Sequence, residues 1–320
     1  MTTPSDIQVS HLSKTFGRKR VLEDVTFNIE RGQTFALLGR NGAGKTTTLR
    51  MLLGLLKPDK SPSLSGTSGG QMNILGFDPR KQAIKVRSVV GYLAEDQKMF
   101  GWMSVRQIID FMTPFYPKWD KQLANRYLKQ FELSATTKIK HLSKGQGVRL
   151  GLLLALAHRP QVVILDDPAL GLDPIMRKEF NRDLIVHLQS EGRTVFYSSH
   201  LLYEVEPIAD QIAILDRGRI VIQQDTEALR RDVKKLLMDT RDFDAHQNSL
   251  SKLDVYRGYG KTHVTITDAA IVIAKLREAG AKFEVVNLNL DEIFEAYVIG
   301  RPDGQVAASR HTQAMQEVGS

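Results

Sequence analysis

Apolar residues near the start of the chain come in short alternating bursts, Ile7-Gln8-Val9 and then Val25-Thr26-Phe27-Asn28-Ile29. A period of two predicts strands of an antiparallel sheet, each with one buried face. Gly32 turns the chain into Thr34-Phe35-Ala36-Leu37-Leu38, an apolar run that reads as a buried strand. A helix is predicted near 45–56, ended by Lys57-Pro58. Residues 98–158 are mainly helical in pattern, with Val105, Ile108, Ile109 and Met112 on one stripe and Leu123, Tyr127, Leu128 and Phe131 on another. Buried strands return at 162–165, 194–197 and 211–215, and a helix at about 175–190 joins the first two. Strand–helix–strand order predicts a parallel sheet.

The pattern changes past residue 225. A helical start at 226–231 leads to Lys234-Lys235-Leu236-Leu237-Met238 and then a polar stretch. A strand at 263–267, a helix at 269–279, a strand at 283–286 and a helix at 290–298 follow. We read 1–224 as one large α/β domain and 225–300 as a small α+β extension. Residues 301–320, polar and without period, read as a disordered tail. The Ser/Gly/Pro-rich stretch 59–70 reads as a flexible loop.

A chain of 320 residues, 42% hydrophobic, can bury such a core. The net charge of +8 is spread out, its tightest cluster being Arg18-Lys19-Arg20, so it reads as a solvated face and no nucleic-acid partner is expected. The absence of cysteine excludes disulfides, thiolate zinc sites and cysteine nucleophiles, and suits a reducing compartment. The longest strongly apolar run, 150–157, is far short of the roughly 20 residues a membrane span needs. The first residues lack signal-peptide character. The expectation is a soluble or peripheral protein of the cytoplasm.

Candidate chemistry begins at Gly39-Arg40-Asn41-Gly42-Ala43-Gly44-Lys45-Thr46, which fits G-x-x-x-x-G-K-[ST] between a predicted strand and a predicted helix. Glycines let backbone N–H groups converge on phosphate oxygens, and the helix N-terminus adds a favourable dipole. Lys45 would reach the β- and γ-phosphates of a nucleoside triphosphate, and the Thr46 hydroxyl would hold Mg²⁺. The apolar run 162–165 ends in Asp166, placed to hold Mg²⁺ directly or through water. Asp167 follows, either a general base for the attacking water or a turn cap before Pro168.

With Leu142-Ser143-Lys144-Gly145-Gln146 ahead of a predicted helix, the chain resembles the ATP-binding-cassette ATPases, whose signature is Leu-Ser-Gly-Gly-Gln. The resemblance covers 5–224 with the motifs in order. It implies a P-loop NTPase with a RecA-like core, an antiparallel β subdomain, an α-helical signature subdomain at about 98–158 and a small C-terminal α+β extension. It implies ATP and Mg²⁺ as ligands, held by Gly39, Asn41, Gly42, Gly44, Lys45, Thr46 and Thr47. Ser143, Gly145 and Gln146 would close on the γ-phosphate held by the opposite subunit. Phe16 stands where the family has an aromatic that stacks on adenine, and a strand-end core residue is the equal alternative. Leu172 and Asp173, in Ala169-Leu170-Gly171-Leu172-Asp173-Pro174, resemble the loop that crosses the dimer interface. His200 resembles the switch histidine that contacts the γ-phosphate. Leu290-Asp291-Glu292-Ile293-Phe294 resembles a segment that closes exporter-type cassettes.

Three positions depart from the family pattern. Asp167 replaces the catalytic Glu and is one methylene shorter. A misplacement of about 1 Å costs on the order of a hundredfold in rate, so slow hydrolysis is expected. Glu95 stands where the family has a Gln that serves Mg²⁺ or the water, with Gln97 as the alternative. The loop at 59–70 is longer than usual, with no function assigned. The expected function is the ATPase of an exporter-like transporter, peripheral on the inner face of the cell membrane and driving a separate integral membrane subunit. It would act as a homodimer or as a heterodimer with a related ATPase chain. The alternatives are a non-transport cassette ATPase and an ATP-dependent clamp with weak turnover.

Overall fold

The computed structural model describes residues 4–59, 70–184, 188, 192–303 and 305–306. The chain forms two compact units, Met1–Gln223 and Gln224–Ser320. Most of the loop read at 59–70, and the tail beyond 306, lie outside the described residues.

The first unit runs β1 (Ser5–Phe16), β2 (Lys19–Glu30), β3 (Thr34–Leu38), α1 (Lys45–Leu52), β4 (Gln71–Ile74), α2 (Ala83–Val89) and β5 (Val90–Leu93). It continues with α3 (Val105–Met112), α4 (Lys121–Gln130), α5 (Lys144–Leu156), β6 (Val162–Asp166), α6 (Pro174–Leu184), β7 (Thr194–Ser199), α7 (Leu202–Val205), β8 (Gln211–Asp216) and β9 (Arg219–Asp225). Two sheets result, one of order β2-β1-β4 and one of order β5-β6-β7-β3-β8-β9. The first pairs antiparallel, as the alternating bursts require. In the second, the pairs from β5 through β6, β7 and β3 to β8 are parallel. β3, β6 and β7 are buried along their whole length, the signature of a sheet covered on both faces.

The two sheets meet through three phenylalanines. Phe27 of β2 stacks on Phe35 of β3 at 5.4 Å, and Phe196 of β7 packs edge-on against both. α1 is shorter than the pattern predicts. It ends at Leu52 because Gly54 takes φ +67° and the amides of Leu55 and Leu56 fold back onto the Arg50 carbonyl. The predicted helical region holds α3, α4 and α5, and each N-terminus is fixed by its own side chain. Ser104 with Gln107 and Ser143 with Gln146 form capping boxes, and Asp120 caps α4.

The second unit contains α8 (Thr226–Asp232), β10 (Lys234–Asp239), α9 (Thr240–His246), β11 (Lys252–Gly258), β12 (Lys261–Ile266), α10 (Ala269–Glu278), β13 (Phe283–Asn287), α11 (Leu290–Ile299) and β14 (Gln305–Val306). Its sheet order is β13-β10-β12-β11-β14, so β10 to β13 form a split βαββαβ arrangement. Leu236, Met238, Phe243, Val264, Ile266 and Leu276 are in its apolar core. The stretch read as merely polar holds α9 and β11. Their charged side chains, such as Arg257 paired to Asp244, mask the pattern. The tail begins with β14, which pairs parallel with β11.

Candidate functional site

The site lies where β3, β6 and β7 end side by side. β3 feeds the loop 39–44, and α1 starts at Lys45. Gly44 takes φ +116°, and a Cβ there would strike Leu22. Only glycine supplies this turn, which brings β2 against the loop. Lys45, 5% exposed, folds into the loop and donates to the Gly39 carbonyl at 2.9 Å. Its ammonium also lies 3.5 Å from Asp167 Oδ2.

Two consecutive carboxylates face this lysine from the end of β6. Asp166 Oδ1 accepts from Ser198 Oγ at 2.7 Å and from Thr46 Oγ1 at 3.2 Å. Burial pushes the Asp166 carboxyl above its ordinary value. The Ser198 and Thr46 donors pull it back, the Asp167 charge adds to the rise, and Lys45 opposes it. Asp167 adopts the left-handed conformation with φ +43°, its amide donating to the Ser198 carbonyl. That bend turns its side chain to His200. Asp167 Oδ1 accepts from the His200 amide at 3.1 Å and lies 2.8 Å from His200 Nδ1. The parallel register of β6 and β7, with Asp166 opposite Ser198, lets Ser198 and His200 each grip one carboxylate.

The oxygens of Thr46 and Asp166 suit a hard cation such as Mg²⁺. Among the described residues no cluster of three His, Asp or Glu could hold a metal on its own. This donor set fits a cation that shares its shell with substrate phosphates and water.

The remaining residues named from the sequence are placed as follows. Ser143 and Gln146 cap α5 reciprocally, the serine hydroxyl accepting from the Gln146 amide at 3.2 Å. Gly145 lies under Met176 of α6, leaving no room for a Cβ. Leu172 is buried in its own chain, and Asp173 caps α6 by accepting from the Ile175 and Met176 amides. Asn41, Gly42 and Glu95 are exposed, and Thr47 is half-buried. Phe16 is half-exposed, its ring 5.4 Å from the Lys14 ammonium. Gln97 is turned against Gly151 of α5. Ser198 is the residue that sequence reasoning missed. Its only signal is the position two residues before His200, which acquires meaning once β7 is known to neighbour β6.

A glycine loop between strand and helix, facing two consecutive carboxylates at the end of a parallel strand of the same sheet, defines a phosphate-loop nucleotide-binding protein. The family profile described as ABC transporter matches residues 22–170. The ABC transporter ATP-binding protein all4389 of Nostoc sp. is 30% identical over 313 residues, covering 92% of this chain and 90% of its own. The bacitracin transport ATP-binding protein BcrA of Bacillus licheniformis is 29% identical over 292 residues, 84% of this chain and 92% of its own. A solved structure of an ATP-binding subunit of an ABC transporter superposes with a TM-score of 0.62 at 27% identity, over 70% of this chain and 92% of its own. The chain belongs to the ATP-binding proteins of the ABC transporter family.

Proposed function

We propose that this chain hydrolyses ATP to drive a separate membrane subunit of an exporter. The observation that carries the reading is the convergence of Lys45, Thr46, Asp166, Asp167 and His200 within a few ångströms at the ends of β3, β6 and β7. Lys45 and the loop amides would hold the β- and γ-phosphates, while Thr46 and Asp166 would hold Mg²⁺, which neutralises charge developing on the phosphates. Ser143 and Gly145 of a second cassette would close the site, making the working unit a dimer. Asp167, aligned by His200, would take the proton of the attacking water. Export is supported by likeness to the bacitracin transport protein over 92% of that protein's length and 84% of this chain, a span that must reach into the second unit.

The groove between α3 and β5 is the surface we assign to the membrane subunit. It encloses about 290 Å³ and is lined by Leu55, Tyr92, Met99, Phe100 and Phe111 among others. Phe100, Trp102, Phe111 and Phe115 form a chain of ring contacts at 5.4–6.0 Å and are all substantially exposed. Exposed aromatics in such number mark an interaction site. Lys98 and Arg87 line the same groove, so the occupant is an apolar helix segment carrying acidic residues. No helix of the described residues is long and apolar enough to cross a membrane. Attachment to the inner face of the cell membrane would come from this partner.

A second reading, an ATP-dependent clamp, is favoured by how fully Asp167 is engaged by His200 and Lys45. The test is dimerisation followed by light scattering. ATP and Mg²⁺ should dimerise Asp167→Asn stably, and should dimerise the parent only until its ATP is consumed. A parent dimer as persistent as that of Asp167→Asn selects the clamp. A chain that stays monomeric in both forms contradicts both readings.

A further inference from the structure

The sheet of the second unit has two unlike faces. On one, Leu236, Val264 and Val255 pack with Phe243 of α9 and Val272 of α10 in the apolar core. On the other, the register from β10 through β12 to β11 sets Lys235, Thr265 and Asp254 side by side in one row. Asp254 reaches that row through a β-bulge. The register shifts between Lys252 and Asp254, so a carboxylate stands opposite Thr265 where regular pairing would put Leu253. Gly300 seats the following chain against the bulge, because a Cβ there would strike the carbonyls of Leu253 and Ala296. The row is the floor of a cavity of about 120 Å³, roofed by Glu292, Glu295 and Ala296 of α11.

Thr265 is only 3% exposed, yet no hydrogen bond engages its hydroxyl among the described residues. The oxygen is not sealed off as the Gln97 amide oxygen is, so it opens into the cavity. A buried hydroxyl left without a partner costs free energy, which an occupant recovers. The charges around it do not balance. Lys235 lies 3.2 Å from Glu292 Oε1, which accounts for one carboxylate. Asp254 Oδ1 accepts from the Arg301 amide at 2.9 Å, a neutral partner that leaves its charge in place. Glu295, at the rim, has no ion pair among the described residues. Two carboxylates and one hydroxyl therefore remain open to an occupant.

We propose that this cavity binds a small organic cation through its primary ammonium group. An ammonium carries three donors and no acceptor. Thr265 Oγ1 and the carboxylates of Asp254 and Glu295 supply three acceptors for it. Ala296 and Ile299 offer an apolar wall to a short carbon chain. Sites for drug-sized ligands begin at roughly 300 Å³, so the ligand here is an alkylamine or amino alcohol of a few heavy atoms. No group of three carboxylates or histidines among the described residues is gathered to hold a metal ion, which disfavours a bare divalent cation. The site lies wholly in the second unit and does not rest on the reading of the ATP site.

Propylammonium is the probe, and saturation-transfer NMR reads its binding to the full chain from the ligand's own methyl signal. It should bind saturably, with a dissociation constant on the order of a millimolar, the range open to so few atoms. Propionate should show no saturable binding, and potassium should compete no better than sodium. Asp254→Asn and Glu295→Gln should each weaken propylammonium about tenfold, as loss of a charged acceptor does. Thr265→Val keeps the shape, removes the hydroxyl and should weaken it severalfold. Glu278→Gln removes the same charge from α10 across the sheet and should change nothing. Should Asp254→Asn or Thr265→Val lose melting temperature, Glu295→Gln decides, because Glu295 is exposed. Absence of saturable propylammonium binding overturns the proposal. So does tighter binding of propionate, which marks an anion site on Lys235, or displacement of the probe by an equal concentration of potassium. An effect of Glu278→Gln as large as that of Glu295→Gln overturns it too, since it marks a diffuse attraction to negative charge.

Discussion

The strand-end site and the groove beside α3 are built on opposite plans. At the strand ends, charged and hydroxyl groups are buried and interlocked: Lys45 on Gly39, Thr46 and Ser198 on Asp166, His200 on Asp167. In the groove, large apolar side chains stand open, Leu55 at 58% exposure and Phe100 at 48%. A buried polar cluster is organised before any ligand arrives, because leaving one of its members unpaired would be costly. An open aromatic surface gains nothing from water and is completed by another molecule. The first plan suits chemistry and the second suits docking.

The contrast breaks most sharply where one plan is removed. Lys45→Ala takes the cation from the phosphates and should cut ATP turnover on the order of a hundred- to a thousandfold. Steady-state phosphate release measures it. The next effect lies behind the groove, where His158 stacks on Tyr116 at 4.1 Å and is buried. Burial, then the Arg193 charge, lower its pKa from 6.5 to about 4. The unfolded chain therefore binds the extra proton first as pH falls. The stability this neutral imidazole contributes is intact above pH 6.5 and is lost as pH drops through 6.5 towards 4. The loss is on the order of 3 kcal/mol. Urea unfolding across that range should show the fall, and His158→Leu should flatten it.

Ser198→Ala sharpens the comparison from inside the site. It removes a fully buried donor to Asp166 and should weaken Mn²⁺ affinity about tenfold, with Ser198→Thr restoring it. A merely structural serine would lower the melting temperature and leave metal affinity alone. The smallest effect belongs to the groove rim. Trp102→Ala should leave turnover of the isolated chain within about twofold, as surface changes do. Any deficit it causes should emerge once the membrane subunit is present.

What the sequence made legible follows from how local each feature is. The loop 39–44 is contiguous with its strand and its helix, so one stretch of chain declared strand, phosphate loop and helix together. The capping of α5 is equally local, since Ser143 and Gln146 are three residues apart. The cradle around Asp166 was not legible. Its donors come from residues 46 and 198, and they meet because β7 flanks β6 while β3, which feeds the loop ahead of Thr46, lies on the other side of β7. No periodicity encodes that order. The choice between Glu95 and Gln97 failed to foresee the inward turn of Gln97, because the notch that receives it is a helix glycine 54 residues later. In the second unit, charges carried on short strands and helices hid β11 and α9 from a pattern reading. Phe16 remains an exposed aromatic at a hairpin turn, a position compatible with stacking on a base.

The central claim is that the interlocked strand ends hydrolyse ATP with Asp167 as a working but short base. Steady-state ATPase activity of the purified chain beside Lys45→Ala, Asp167→Asn and Asp167→Glu tests it most directly. The account predicts a slow parent, silent Lys45→Ala and Asp167→Asn chains, and a faster Asp167→Glu. A parent whose activity survives both Lys45→Ala and Asp167→Asn would contradict it.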